Sequence, residues 1–186
     1  VELNSNAQDV LKGAIANRES IRRRHGRVDV LDLLDEIRGS RPKIMPPVCV
    51  DASLVLNILL PDQPDLGLAA LWSEWIESQT TPLGPPLIYA EVPSALRRSV
   101  HSGRISADAD ESAFQHFRRL GIEISGRNDL HIMAWAIANT YNQSRIYDAM
   151  YLAAAQAEGC DLWTLDWRLV NAVNLPWVRW AGAAQR

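Results

Sequence analysis

Short apolar runs rich in β-branched residues alternate with helical segments from Val48 onward, and this alternation confines the chain to a parallel sheet covered by helices on both faces. Val48-Cys-Val-Asp51 is an apolar run that ends in a carboxylate, and Ala52 to Leu60 continues at helical spacing until Pro61. Leu68, Leu71, Trp72, Trp75 and Ile76 share one helical face. Residues 82–86 read as a loop, and Leu87-Ile-Tyr89 leads into a helix from about Ala90 to Val100. Pro93 then falls in a first turn, where it has no N–H bond to lose. Ser106 caps a further helix, with Asp108, Asp110 and Glu111 at its positive end. Gly121 to Ser125 alternates like a strand. Asn128 is a candidate cap for a helix over residues 129–140, and Ser144 for one from Ile146 to Glu158 that Gly159 stops. Asp161 to Asp166 repeats the opening pattern, an apolar strand ending in a carboxylate. A short helix from Trp167 to Ala172 and a last strand near 176–180 close the series.

Residues 1–46 differ from this pattern. They hold Arg22-Arg-Arg24 and a short amphipathic stretch in which Val30, Leu33, Leu34 and Ile37 recur at helical spacing. Gly39 stops it, and Pro42, Pro46 and Pro47 break the chain. The expected organisation is an N-terminal helical arm and linker over residues 1–46 and an α/β domain over residues 47–186.

A hydrophobic fraction of 47% is ample for a packed core in a chain of 186 residues, which argues against extended disorder. No run is long enough to span a bilayer, and there is no signal-peptide pattern. The net charge of −3 argues against a bulk electrostatic binder of nucleic acid, so any such contact needs a local basic patch. Cys49 and Cys160 show no metal-ligand spacing and read as small buried hydrophobes of a cytoplasmic protein. His25, His101, His116 and His131 make no zinc or nucleophile pattern, and no phosphate-cradling glycine loop is present.

Asp51, Glu91, Asp148 and Asp166 each sit at an element boundary beside an apolar segment. In an open parallel sheet the crevice at the carboxyl ends of the strands is the usual ligand site, so the four could converge there. Crowded carboxylates repel one another, and a hard divalent ion with oxygen ligands relieves that repulsion. Such an ion keeps several waters, can activate one for attack on phosphorus, and stabilises charge on phosphate oxygens. The same residues have structural readings: Asp148 as a cap, Asp51 and Asp166 as polar strand ends, and Glu91 as a partner for a helix dipole.

The stretches Val48-Cys-Val-Asp-Ala-Ser53, Tyr89-Ala-Glu-Val-Pro-Ser-Ala-Leu-Arg-Arg98, Tyr147-Asp-Ala-Met-Tyr-Leu-Ala153 and Thr164-Leu-Asp-Trp-Arg-Leu169 occur in this order. Together they resemble the PIN-domain nucleases, in particular the VapC toxins of toxin–antitoxin pairs, over about Val48 to Ala181. The resemblance implies a PIN-like, Rossmann-like α/β fold. It implies catalytic and metal-holding roles for Asp51, Glu91, Asp148 and Asp166, with Ser53 and Thr164 as supporting hydroxyls. It further implies Mg2+- or Mn2+-dependent cleavage of RNA that leaves a 5′-phosphate and a 3′-hydroxyl, a homodimer, and inhibition by a cognate antitoxin. Two features depart from the family pattern: Pro93 follows the glutamate closely, and the N-terminal arm is long.

The arm's leucine-rich stretch and Arg38-Gly-Ser-Arg41 resemble the toxin-binding tail of an antitoxin, which places an arginine among the acids. Arg38 and Arg41 are therefore candidates for an inhibitory contact, in cis or on a dimer mate, against the plainer reading of an arm that adds core or dimer surface. Among the arginines of the domain, Arg145 and Arg168 are nearest the acids in sequence and are the RNA-binding candidates, and Trp167 beside Asp166 has a base-stacking reading against a packing one. Two other functions remain open: a non-catalytic PIN-fold module that holds RNA or a protein, and a phosphatase with Asp51 as nucleophile. The second lacks an acid two residues on, where Ser53 stands.

Overall fold

The computed structural model describes residues 46–60 and 62–183. The expected arm over 1–46, with Arg38 and Arg41, lies outside the described residues except for Pro46. Five strands form one parallel sheet in the order β3-β2-β1-β4-β5. They are β1 (Val48–Val50), β2 (Pro82–Gly84), β3 (Glu123–Ile124), β4 (Asp161–Thr164) and β5 (Val178–Trp180). The helices are α1 (Ala52–Leu59), α2 (Leu68–Glu77), α3 (Ile88–His101), α4 (Ala107–Arg119), α5 (Leu130–Thr140), α6 (Tyr147–Glu158) and α7 (Trp167–Val173), and a 3-10 turn spans Ala181–Ala183. The chain winds outward from β1 through β2 to β3, then crosses back to β4 on the other side of β1. Its topological switch point is thus the β1–β4 junction, where Val50 pairs with Trp163.

Helix α6 is the central packing element. Ala149, Tyr151, Leu152, Ala153, Ala154 and Ala155 are all buried, and the helix touches β1, β2 and β4. The run of alanines lets its backbone approach the sheet closely, and each fully buried residue such as Leu152 contributes about 1.5–3 kcal/mol of apolar transfer. Gly159 ends α6 in the left-handed region at φ 65°, a conformation glycine adopts without a Cβ penalty. Ser106 caps α4 as its sequence suggests, accepting from the Ala109 N–H. Among the described residues, no helix is long and apolar enough to cross a membrane.

Five local readings of the sequence are corrected. Residues 82–84, expected in a loop, are strand β2, buried between β1 and β3. Proline is tolerated there because Pro82 opens the strand. Helix α3 starts at Ile88 rather than about Ala90, because Pro85, Pro86 and Leu87 carbonyls accept from the N–H groups of Ile88, Tyr89 and Ala90. Pro93 consequently lies inside the helix and not in its first turn. The bond it forgoes would go to the Tyr89 carbonyl, and Tyr89 is exposed, so water can serve that group. Helices α5 and α6 begin after Asp129 and Ile146, and neither start is closed by a side-chain cap, so Asn128 and Ser144 do not fill the cap positions.

Candidate active site

Asp51 follows β1 and Asp166 follows β4, so both stand at the carboxyl edge of the switch point. Each is also the N-cap of the helix it opens. Asp51 Oδ1 accepts from the Leu54 N–H at 2.9 Å, and Asp166 Oδ1 accepts from the N–H groups of Arg168 and Leu169 at 2.8 and 3.1 Å. Capping and site-building are therefore not rival readings for these residues, because the cap fixes where the carboxylate points. Two hydroxyls lock the pair together. Ser53 donates to both oxygens of Asp51, at 2.7 and 2.9 Å, and accepts from the Leu165 N–H at 3.0 Å. Thr164, fully buried, donates to Asp51 Oδ2 and accepts from the Asp166 N–H at 2.8 Å. The ends of β1 and β4 are thus stitched through side chains drawn from both strands.

Glu91 sits in the first turn of α3 and Asp148 in the first turn of α6, and neither is a cap. Tyr151, one helical turn beyond Asp148, donates its phenol to Glu91 Oε2 at 2.8 Å and so ties α3 to α6. Burial, the Glu91 charge and the bond to Glu91 all hold that phenol well above its ordinary pKa, so it stays a neutral donor. Asp148 is exposed, whereas Asp51 is only 8% exposed.

The four acids repel one another in an unbroken series. Burial pushes the Asp51 carboxyl up from 3.8 to about 6, against three hydrogen bonds that favour its charge, and Glu91 raises it further. Asp148 is also raised, first by partial loss of solvent and then by Asp166 and Glu91. Among the described residues, the ion pairs are Arg97–Asp110, Arg104–Asp62, Arg127–Asp129 and Arg179–Asp161, none of which involves the four acids.

This arrangement has a consequence for pH. The folded protein holds the Asp51 proton more tightly than the unfolded chain does, so between about pH 4 and pH 6 the folded state binds more protons and loses stability as pH rises. The expected loss is on the order of 3 kcal/mol. Thermal melts of the metal-free chain and of Asp51→Asn isolate this contribution. Relative to the variant, the parent should lose stability from pH 4 to pH 7, and a constant difference would refute the strained ionisation of Asp51.

The donor set is all oxygen and suits a hard cation such as Mg2+ or Mn2+. Among the described residues, no three His, Cys, Asp or Glu side chains close on a single point as a ready cage. Asp51 has turned its oxygens to hydroxyls and an N–H, and Glu91 has turned one of its oxygens to Tyr151. A set that does not close on one point would fit an ion that keeps much of its water, as Mg2+ does, better than a dehydrated one.

A cleft of about 500 Å³ opens beside Ser53 and Leu165, floored by Leu56, Leu60 and Ala95 and edged by Arg98 and Arg104. Arg98 lies seven residues after Glu91, two turns along the same helix face. Arg97 points elsewhere and pairs with Asp110. Arg145 and Arg168, chosen from sequence, are both exposed, and neither lines this cleft. Sequence reasoning missed Tyr151, for which helix-face spacing from Asp148 was the available signal, and it ranked Arg98 behind Arg145 and Arg168 as an RNA contact. Cys49 and Cys160 are buried free thiols, both raised by burial, and fit the packing role expected for them.

Comparison with known proteins bears on the family and the fold. Residues 48–174 match the model of the PIN domain family. The VapC ribonuclease Mb0985 of Mycobacterium bovis is 33% identical over 122 residues, covering 66% of this chain and 87% of that protein. Ribonuclease VapC3 of Mycobacterium tuberculosis is 30% identical over 127 residues, covering 67% of this chain and 86% of its own length. The crystal structure of PAE2754 from Pyrobaculum aerophilum shares the fold with a TM-score of 0.50 and 23% identity, covering 68% of this chain and 85% of that one.

Proposed function

The chain belongs to the PIN domain family, and from that membership we propose that it is a divalent-metal-dependent endoribonuclease of the VapC type. The observation that carries the proposal is the link through Thr164 between Asp51 and the Asp166 N–H at the switch point, with the Glu91 charge acting on Asp51 and the Asp166 and Glu91 charges acting on Asp148. A bound Mg2+ or Mn2+ would neutralise that charge, lower the pKa of a water and stabilise charge on the phosphate. The chain's own residues do the rest. Ser53, Thr164 and the Leu54 N–H hold Asp51 in one orientation. The α7 cap does the same for Asp166, and the Tyr151 phenol does so for Glu91. Such preorganisation means the carboxylates need not reorganise as the reaction proceeds.

The direct test is incubation of the full chain with unstructured RNA in Mg2+, in Mn2+ and in excess chelator. Cleavage products with 5′-phosphates in either metal, and none in chelator, are expected. Undiminished cleavage in chelator would remove the metal from the reaction, and no cleavage in any metal, by the chain or by its variant with both Arg38→Ala and Arg41→Ala, would leave a non-catalytic RNA- or protein-binding module. A homodimer and a protein antitoxin, both implied by the VapC likeness, belong to the same proposal. Sedimentation of the chain as a monomer at concentrations used for assay would remove the first.

A further inference from the structure

Tryptophan is seldom left half in water without a reason, because its large apolar face gains by burial. Trp72 and Trp75 are packed in the interior, where Trp75 meets Trp163 edge-on. Trp167 and Trp180 are placed differently. They are 51% and 37% exposed, and their ring centroids are 4.7 Å apart at an interplanar angle of 53°. Trp180 rests on Gly182, where an added Cβ would come within 2.7 Å of the indole, so glycine permits this close approach. The result is a layered support: Gly182 beneath Trp180, and Trp180 beside Trp167, which keeps ring surface in solvent.

Two independent placements put this pair next to the acids. Trp167 directly follows Asp166 in sequence, and Trp180 pairs in register with Thr164, whose hydroxyl touches both Asp51 and the Asp166 N–H. Neighbouring strands lie about 4.8 Å apart, so Trp180 stands one strand from the centre of the site. Arg168, exposed and adjacent to Trp167, adds a positive charge at the same edge.

We propose that Trp167, backed by Trp180, is a stacking platform for an unpaired base of the RNA strand next to the phosphate held at the carboxylates. This rests on the ribonuclease reading and adds to it a requirement for single-stranded substrate at that position. Any base offers a π-face, so the platform selects for an unstacked nucleotide rather than for a sequence. A protein partner fits less well. Two indoles supply far less area than the roughly 800 Å² per side of a stable interface, whereas one base covers one ring.

The test is binding of a short single-stranded RNA to the full chain by fluorescence anisotropy, with chelator present so the strand stays whole. Trp167→Ala is expected to raise Kd about tenfold, within the range of one lost base stack, and Trp167→Phe to retain most of the affinity. Gly182→Ala, which displaces the Trp180 support and removes no aromatic ring, should weaken binding in the same direction. A strand carrying abasic sites should bind the parent and Trp167→Ala alike. Unchanged affinity in Trp167→Ala, or an equal loss with the abasic strand, would overturn the platform. So would a change in oligomeric state with unchanged RNA affinity, which would mark a protein contact instead. Base-dependent binding by a chain that cuts no RNA would sink the nuclease reading alone, and normal cutting with unchanged Kd would sink the platform alone.

Discussion

Asp51→Asn is expected to abolish detectable RNA cleavage, with a rate loss well beyond the roughly 10- to 100-fold that follows removal of an outer partner of a metal site. The amide keeps the size of the carboxylate and an oxygen for the Leu54 N–H, so the α1 cap survives. It also removes a charge that is 8% exposed and opposed by the charge of Glu91. The metal-free variant should therefore melt at or above the parent's temperature at neutral pH. Loss of activity with gained stability is the signature of a residue kept for chemistry against a folding cost. Far-ultraviolet circular dichroism and a thermal melt beside the cleavage assay read both halves. Activity within tenfold of the parent would show that Asp51 is only a cap.

Thr164→Val is expected to cost about 3 kcal/mol, and a Tm lower by on the order of 10 °C. Valine matches threonine in shape, so the cavity is unchanged and the loss is polar. The fully buried hydroxyl serves two groups at once: it donates to Asp51 Oδ2 and accepts from the Asp166 N–H. Without it, a buried carboxylate loses a donor and a part-buried N–H loses its acceptor, each costly to leave unmade. Cleavage should fall with stability, because the two acids at the switch point lose their common joint. Thr164→Ser keeps the hydroxyl and should recover most of both. A valine variant within about half a kcal/mol of the parent would show that β1 and β4 are aligned by the sheet alone, since unaffected substitutions usually fall within that range.

The elements that position the acids were legible in the sequence where a local pattern encoded them. Val48-Cys-Val-Asp51 and Asp161 to Asp166 show apolar runs closed by a carboxylate, and Gly159 marks a helix end through its freedom at positive φ. Strand β2 was not legible. Pro-Leu-Gly is turn composition, and those three residues are held extended by neighbours on both sides, which is tertiary information. The start of α3 was hidden for a similar reason, since Pro85 and Pro86 act through their carbonyls, which nucleate a turn. Within the site, Asp51 with Ser53 and Asp166 with Thr164 could be paired from sequence because each pair is two residues apart. The cross-links from Thr164 to Asp51 and from Tyr151 to Glu91 span 113 and 60 residues, and only the fold reveals them. Arg145 and Arg168 were favoured by nearness along the chain, whereas Arg98 reaches the cleft by helix periodicity.

Electron paramagnetic resonance of Mn2+ titrated into the full chain tests most directly whether Asp51, Glu91, Asp148 and Asp166 serve one cation. The parent should bind Mn2+, Mg2+ should compete for the same site, and Asp51→Asn, Glu91→Gln, Asp148→Asn and Asp166→Asn should each weaken that binding. Mn2+ that stays free in solution, or binding indifferent to all four substitutions, would contradict a shared site.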